Sequence, residues 1–170
     1  MIDISTVGAS VEIESTGLKK PICITQFSDE GTPFECPDVD LSDNRKNLNG
    51  QMISSRTPSV YSVSVTVIPG STEDTELSKL AQKAALMPGN VSQIKYLIIS
   101  KITLKLPAIN KSGVNSGSRT YVWTHGRMKT APTGPSSSAE GRMAARTYTF
   151  EMERYKPATA SDFNVAAQAD

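Results

Sequence analysis

The sequence predicts a mainly β fold: two packed antiparallel sheets, a β-sandwich or partial barrel, with one flanking α-helix and a long arm between two strands. Three observations carry that reading. Apolar and polar residues alternate with period two in successive short stretches, the signature of half-buried strands. A single stretch after Pro69-Gly70 places its apolar residues at helical spacing instead. Between Phe34 and Gly70 a long polar connection separates two alternating stretches and carries no catalytic group.

Composition allows one core. A chain of 170 residues is long enough for one domain that buries apolar side chains and too short to expect two. With 38% hydrophobic and 21% charged residues the balance is that of an ordinary globular protein. No apolar run approaches the roughly 18 residues of a membrane span, so no membrane anchor is expected. Met1-Ile2-Asp3-Ile4 lacks the basic start and apolar segment of a secretion signal, and cytoplasmic synthesis is the expectation.

Taken in order, Val11 to Glu14 alternates apolar with acidic residues, and Pro21 to Phe27 is β-rich up to the turn signal Asp29-Glu30-Gly31. Phe34 to Ser42 reads as a strand with Val39 and Leu41 on one side and Asp38, Asp40 and Ser42 on the other. Val60 to Val67 repeats the pattern, setting Tyr61, Val63, Val65 and Val67 against Ser62, Ser64 and Thr66. Between these strands the arm, 43–59, is turn-rich, and Asn49-Gly50 tolerates the positive φ of a tight turn. Leu48, Met52 and Ile53 are more apolar than a plain solvent loop needs, which marks the arm as a docking element.

The helix is expected over 73–87. Ser71 or Thr72 can cap it, Glu73 and Asp74 suit the positive end of its dipole, Leu77, Leu80, Ala81 and Ala84 form its buried stripe, and Pro88-Gly89 ends it. Beyond it, Ile94 to Lys105 reads as a central strand, Arg119 to Met128 and Ala144 to Arg154 as two more, and 110–118 and 130–141 as surface loops. The β domain is thus expected at 1–156, with 157–170 as a C-terminal tail holding Phe163 and Val165.

Chemistry is sparse. His125 has no nucleophile beside it in sequence, there is no Gly-rich phosphate loop, and Asp38 with Asp40 forms a close carboxylate pair on an expected strand face. A glycosidase pair stands about 5 to 10 Å apart, which that spacing meets loosely, but no aromatic-lined cleft accompanies it. No enzyme, cofactor or metal site is expected. Cys23 and Cys36 flank the Asp29 turn nearly evenly, so a hairpin would set them across from one another, as a disulfide or as free thiols. Residues 1–43 carry nine acids and two lysines while the remainder carries sixteen basic residues and eight acids, a polarity that suits head-to-tail association.

Gln26-Phe27-x-Asp29, Pro33-Phe34, Leu48-Asn49-Gly50, Ile68-Pro69-Gly70-Ser71, Asp74-x-x-Leu77, Gly141-Arg142 and Thr147-Tyr148-Thr149-Phe150 occur in an order that closely resembles the tail tube proteins of contractile-tailed bacteriophages, the myovirus inner tail tube family. The resemblance runs from about Ile22 to Phe150; Cys36 and the length of the tail after Lys156 depart from it. It implies a structural virion protein whose hexameric rings join their sheets into a continuous β-barrel and stack helically into the inner tube of a phage tail. That tube would be the channel for genome ejection and the core around which a contractile sheath assembles in the host bacterial cytoplasm. The implied partners are further copies of the chain, the tail sheath protein, the tape measure, baseplate and tail terminator proteins, and double-stranded DNA in non-specific passage.

Combined with the residue pattern, this assigns Asp38, Asp40, Ser42, Ser62, Ser64 and Thr66 to the lumen, where carboxylates repel phosphates and hydroxyls grip weakly. It assigns Leu48, Asn49, Gly50, Met52 and Ile53 to an inter-ring arm. Two alternatives stay open: the inner tube of a phage-like contractile injection or secretion system, and a β-sandwich carbohydrate- or receptor-binding module using Tyr121, Trp123 and His125 as its aromatic platform.

Overall fold

Alternating side chains force a strand to be apolar on one side and wet on the other, and most strands of this chain meet in a single sheet built on that rule. The computed structural model describes residues 8–29, 32–85, 94–106, 119–137 and 141–159. The strands are β1 (Ser10–Ser15), β2 (Ile22–Ile24), β3 (Phe34–Glu35), β4 (Ser42–Lys46), β5 (Met52–Arg56), β6 (Tyr61–Val67), β7 (Ile98–Leu106), β8 (Arg119–Thr130) and β9 (Arg146–Thr159). The helices are α1 (Thr72–Ala85) and the short α2 (Ile94–Leu97). Seven strands form one antiparallel half-barrel sheet in the order β2-β1-β7-β8-β9-β6-β3, while β4 and β5 pair only with each other as a small second sheet. The mainly β fold with one substantial flanking helix and a long arm is therefore as expected.

The core lies on the helix-covered side. Val11 and Ile13 of β1, Val63, Val65 and Val67 of β6, Ile99, Ile102 and Leu104 of β7, and Tyr148, Phe150 and Met152 of β9 are buried there with Leu77 and Leu80 of α1. Each such aliphatic or Phe side chain stabilises the fold by about 1.5–3 kcal/mol relative to exposure. Helix α1 starts where expected: Ser71 Oγ accepts the Asp74 N–H at 3.2 Å, and Asp74 Oδ2 in return accepts the Gly70 N–H at 3.0 Å. This reciprocal cap satisfies one orphan donor of the first turn and the N–H of the residue just before the cap.

Sidedness is kept by an irregularity that runs across the sheet. Ile99 and Ile102 on β7 are three residues apart and both buried, as an unbroken alternation would forbid. The same three-residue step separates Gly126 from Trp123 on β8 and Tyr155 from Met152 on β9, and the β1–β7 register slips between Glu14 and Ser15. On β8 the step is made at His125, whose φ is +53°. Non-glycine residues rarely adopt that backbone, although histidine does so more often than most. Gly126 follows because β9 crosses it closely: a Cβ there would lie 2.4 Å from Met152 Sδ and 2.2 Å from the Glu151 carbonyl oxygen.

Several expected boundaries are corrected. The strand expected from Phe34 to Ser42 ends at Glu35: β3 pairs with β6 only through Phe34↔Val65 and Glu35↔Ser64. Pro37 then lacks the backbone donor a ladder needs, and residues 36–41 continue as an extended strap. The helix spans Thr72–Ala85 rather than 73–87, with 86 and 87 outside the described residues. Ile94 to Leu97 is a helical turn, not the start of β7; Tyr96 packs there over Gly17, where an added Cβ would come within 2.4 Å of its ring. Strand β9 runs three residues into the expected tail, pairing Pro157 with Tyr121 and Thr159 with Arg119. The loop at 110–118 and residues 160–170, with Phe163 and Val165, lie outside the described residues, as do Glu30 and Gly31 of the turn.

Gly126→Ala should lower the unfolding free energy by about 1–3 kcal/mol, since the clashing atoms include backbone. Gly134→Ala, where no atom lies within 4 Å of the added Cβ, should stay within about 0.5 kcal/mol. Urea midpoints at unchanged m value measure both.

Candidate assembly surfaces

The face of the sheet opposite the core is polar and partly self-neutralised: three cross-strand ion pairs stand on it beside Arg127, Arg154 and Lys156, which are exposed there without an ion pair among the described residues. Glu14 meets Lys101 directly across β1 and β7 at 3.6 Å, Glu12 reaches Lys105 at 3.6 Å, and Lys129 contacts Glu151 across β8 and β9 at 2.5 Å. Toward β6 the charges give way to hydroxyls: Ser64 Oγ lies 3.2 Å from Thr149 Oγ1 and Thr66 Oγ1 lies 3.0 Å from Thr147 Oγ1. Such cross-strand pairs add little stability individually, but they hold the face in one arrangement.

The six residues assigned to the lumen divide into two groups. Ser62 and Ser64 sit half-buried on the polar face of β6, and Thr66 beside them is buried. Asp38 and Asp40 are exposed on the strap, and Ser42 is exposed at the base of β4. The strap is held at its far end by Ser59, whose hydroxyl donates to the Asp40 carbonyl at 2.5 Å. It passes over the core side of the sheet, so Asp38 and Asp40 share no strand face with Ser62 and Ser64.

Under the strap lies a groove of about 580 Å³, walled by Val39 and Leu41 on one side and by Tyr61, Tyr121, Trp123 and Tyr155 on the other. The aromatic wall is continuous, with ring centroids 5.3 Å apart for Trp123 and Tyr155, 5.7 Å for Tyr61 and Tyr155, and 6.5 Å for Tyr121 and Trp123. The expected Tyr121, Trp123 and His125 platform is thus only partly formed. Trp123 is buried, and His125 is exposed because its positive φ takes it out of the alternation. Tyr61 and Tyr155, distant in sequence, complete the wall instead.

The arm is a β-hairpin whose β4 and β5 pair from Ser42↔Arg56 to Lys46↔Met52. Asn47 builds its turn: its Oδ1 accepts the N–H groups of Asn49 at 3.1 Å and Gln51 at 2.8 Å, and Gly50 takes φ +77°. Every residue of β4 and β5 is exposed, including Met52 and Ile53, and Leu48 at the tip is fully so.

Cys23 and Cys36 do not face each other. One is on β2 and the other just beyond β3, the opposite edges of the sheet, and both are exposed free thiols. Desolvation, followed by Glu12 for Cys23 and Glu35 for Cys36, raises both thiols above their ordinary value. Among the described residues no three His, Cys, Asp or Glu side chains cluster as metal ligands, and no helix is long and apolar enough to cross a membrane.

Asp74, read from sequence as a helix-start carboxylate, has two partners on β9 besides its bond to the Gly70 N–H. Its Oδ1 accepts the Tyr148 hydroxyl at 2.7 Å and lies 3.2 Å from Arg146 Nε, an ion pair without hydrogen-bonding alignment. These contacts tie the start of α1 to β9 through the core. Burial first, then the bond to Asp74, pushes the Tyr148 phenol well above its ordinary value of 10. A raised folded value means the contribution is full below about pH 10 and is lost as pH rises through the folded value. Tyr148→Phe should therefore cost about 1.5–3 kcal/mol at pH 7. It should also abolish part of the alkaline loss of stability, which has a slope of up to about 1.4 kcal/mol per pH unit per proton. Denaturant titrations of both proteins from pH 7 to 11 measure this.

No curated protein matches the sequence. Solved structures do match it along nearly their whole length. A chain of the sheath-tube complex of the extracellular contractile injection system PVC, in its extended state, superimposes with a TM-score of 0.58 at 17% identity, covering 92% of this chain and 91% of that one. The tube terminating cap of the anti-feeding prophage gives 0.55 at 14% identity, covering 94% and 93%. The PVC sheath/tube terminator gives 0.55 at 16%, covering 92% and 96%. At these identities the likeness establishes the fold. A family model described as tail fiber protein gp32 matches residues 2–156, so this chain belongs to the tail fiber protein gp32 family.

Proposed function

We propose that the chain is the inner tube subunit of a contractile tail, closing into sixfold rings that stack helically inside a sheath. The observation that carries this reading is the sheet itself: seven strands wide, polar on one face, and ending in edge strands of only three and two residues. Short edges resist uncontrolled pairing yet can be completed by the same edges of neighbouring copies, and closure into a barrel removes them. The likeness to a chain of a sheath-tube complex supports it.

In this assembly the polar face lines the channel. Ser62, Ser64 and Thr66 with the Glu14–Lys101 and Glu12–Lys105 pairs offer weak contacts, while Arg127, Arg154 and Lys156 leave scattered cations on the same face, so DNA is met by non-specific, salt-sensitive contacts only. Asp38, Asp40 and Ser42 sit on the strap and arm base, where the two carboxylates and the hydroxyl meet neighbouring subunits or the channel rim. The arm with Leu48, Asn49, Gly50, Met52 and Ile53 bridges successive rings. The role is structural rather than catalytic, and the partners are the sheath, terminator, tape measure and baseplate proteins of the same tail. The tube belongs to a phage virion, where it conducts the genome; a contractile injection system uses the same construction for another cargo.

A second reading follows from the family's description as a tail fiber protein: a distal element that contacts a receptor and forms no channel. Negative-stain microscopy of the purified protein separates the two. Hollow tubes or six-membered rings are expected, and solid fibres or persistent monomers would overturn the tube reading. Deleting 44–59 should leave subunits with unchanged circular dichroism that no longer stack; unimpaired tubes would refute the role of the arm.

A further inference from the structure

The arm and the groove are each incomplete within one subunit. A two-stranded hairpin with no third strand and no covered face is marginal in water at best, yet β4 and β5 keep five residue pairs with every side chain exposed. Leu48, Met52 and Ile53 crowd its tip without a cover. The groove offers the converse: an aromatic wall, with Leu41 of the strap 71% exposed above it, and no arm residue in its lining.

Charge separates the two surfaces in the same way. The arm carries Arg45, Lys46 and Arg56 against Asp43, and the segment 34–41 carries Glu35, Asp38 and Asp40 with no basic residue. Because residues directly across a ladder share a face, Arg45 lies beside Ile53 and Lys46 beside Met52. Each side of the tip therefore presents one apolar and one basic group. The groove presents the complement, apolar rings within an acidic rim to which Asp38 contributes directly.

We propose that the arm of one copy seats in the strap groove of a second copy. Leu48, Met52 and Ile53 enter against Tyr61, Tyr121 and Tyr155, and Arg45 and Lys46 meet Asp38 and Asp40. Arg45 leaves its own Asp43, 2.9 Å away, at little cost because that pair is exposed. Arm and groove are different patches of one surface, so the contact is head to tail and propagates from copy to copy. The proposal rests on the stacked-tube reading and gives its inter-ring contact a receiving site.

Cys36 lines the groove and is free, which supplies a direct test. In a Cys23→Ser background, Leu48→Cys places one thiol on the arm tip and leaves one in the groove. Assembled tubes are treated with diamide at pH 8.5, which takes the two thiol hydrogens and electrons to become the hydrazine as each disulfide forms. A reductant-sensitive ladder of covalent multimers extending past the dimer is expected on denaturing gels, collapsing to dimers or monomers when Cys36→Ser is added. Tubes that form but give no ladder would overturn the groove assignment alone, including the case in which a sheath or terminator segment fills it. A chain that forms neither rings nor tubes would overturn both readings. Independently, R45E/K46E should raise the concentration needed for assembly about tenfold or more, and D38K/D40K should restore it in that background. Unchanged assembly of R45E/K46E would contradict the proposed pairing.

Discussion

Everything in this molecule follows from a sheet that has a core on one side only. One substantial helix and one short helical turn are all that the described residues offer to cover seven strands, so the opposite face has to be made compatible with water along its whole width. Ion pairs across β1, β7, β8 and β9 and hydroxyl pairs across β6 and β9 do this. The slip in alternation through Ile99, Gly126 and Met152 keeps the sheet's faces, because β7, β8 and β9 make it together and the register shift at Glu14/Ser15 absorbs it against β1. An irregularity confined to one strand would have turned Phe150 or Trp123 out to solvent.

Helix α1 is held to this sheet by contacts of two kinds. Leu77 and Leu80 fill the core, and the Asp74 carboxylate, buried at 3% exposure, takes the Tyr148 hydroxyl and neighbours Arg146. A buried carboxylate is tolerable only when its charge is answered on several sides. Asp74 achieves that by serving as part of the helix cap and as the acceptor for β9 at once.

Much of the fold was legible because its signals are local. Val63, Val65 and Val67 against Ser62, Ser64 and Thr66, Tyr148 and Phe150 against Thr147 and Thr149, and the Ser71 cap of α1 are all written within a few residues, and the structure reproduces them. The arm was legible too, since Asn49-Gly50 marks its turn. What was not legible depends on residues far apart in sequence. The strap departs from the β6 edge because Pro37 cannot donate to a ladder, a local signal masked by the alternation of Val39 and Leu41. The groove joins Tyr61 to Tyr155, the anchor joins Asp74 to Tyr148, and the separation of Cys23 from Cys36 depends on the strand order. No periodicity encodes any of these. Ile94 and Tyr96 fit the alternation of the strand that follows, yet Ile94 to Leu97 forms a helical turn in which Tyr96 packs over Gly17.

The strap and arm form one continuous excursion between two strands of the sheet, and together they give a subunit two surfaces that its own core does not need. Such surfaces are expected of a protein whose stability and function are completed by copies of itself. The central claim is that the polar face of the sheet lines a channel made by those copies, and a cryo-electron microscopy reconstruction of the assembled protein tests it most directly. The account predicts a sixfold hollow tube with Glu14, Lys101, Lys105 and Ser64 on the inner wall and α1 outside them. A tube with α1 toward the axis and those residues on the outer surface would contradict it.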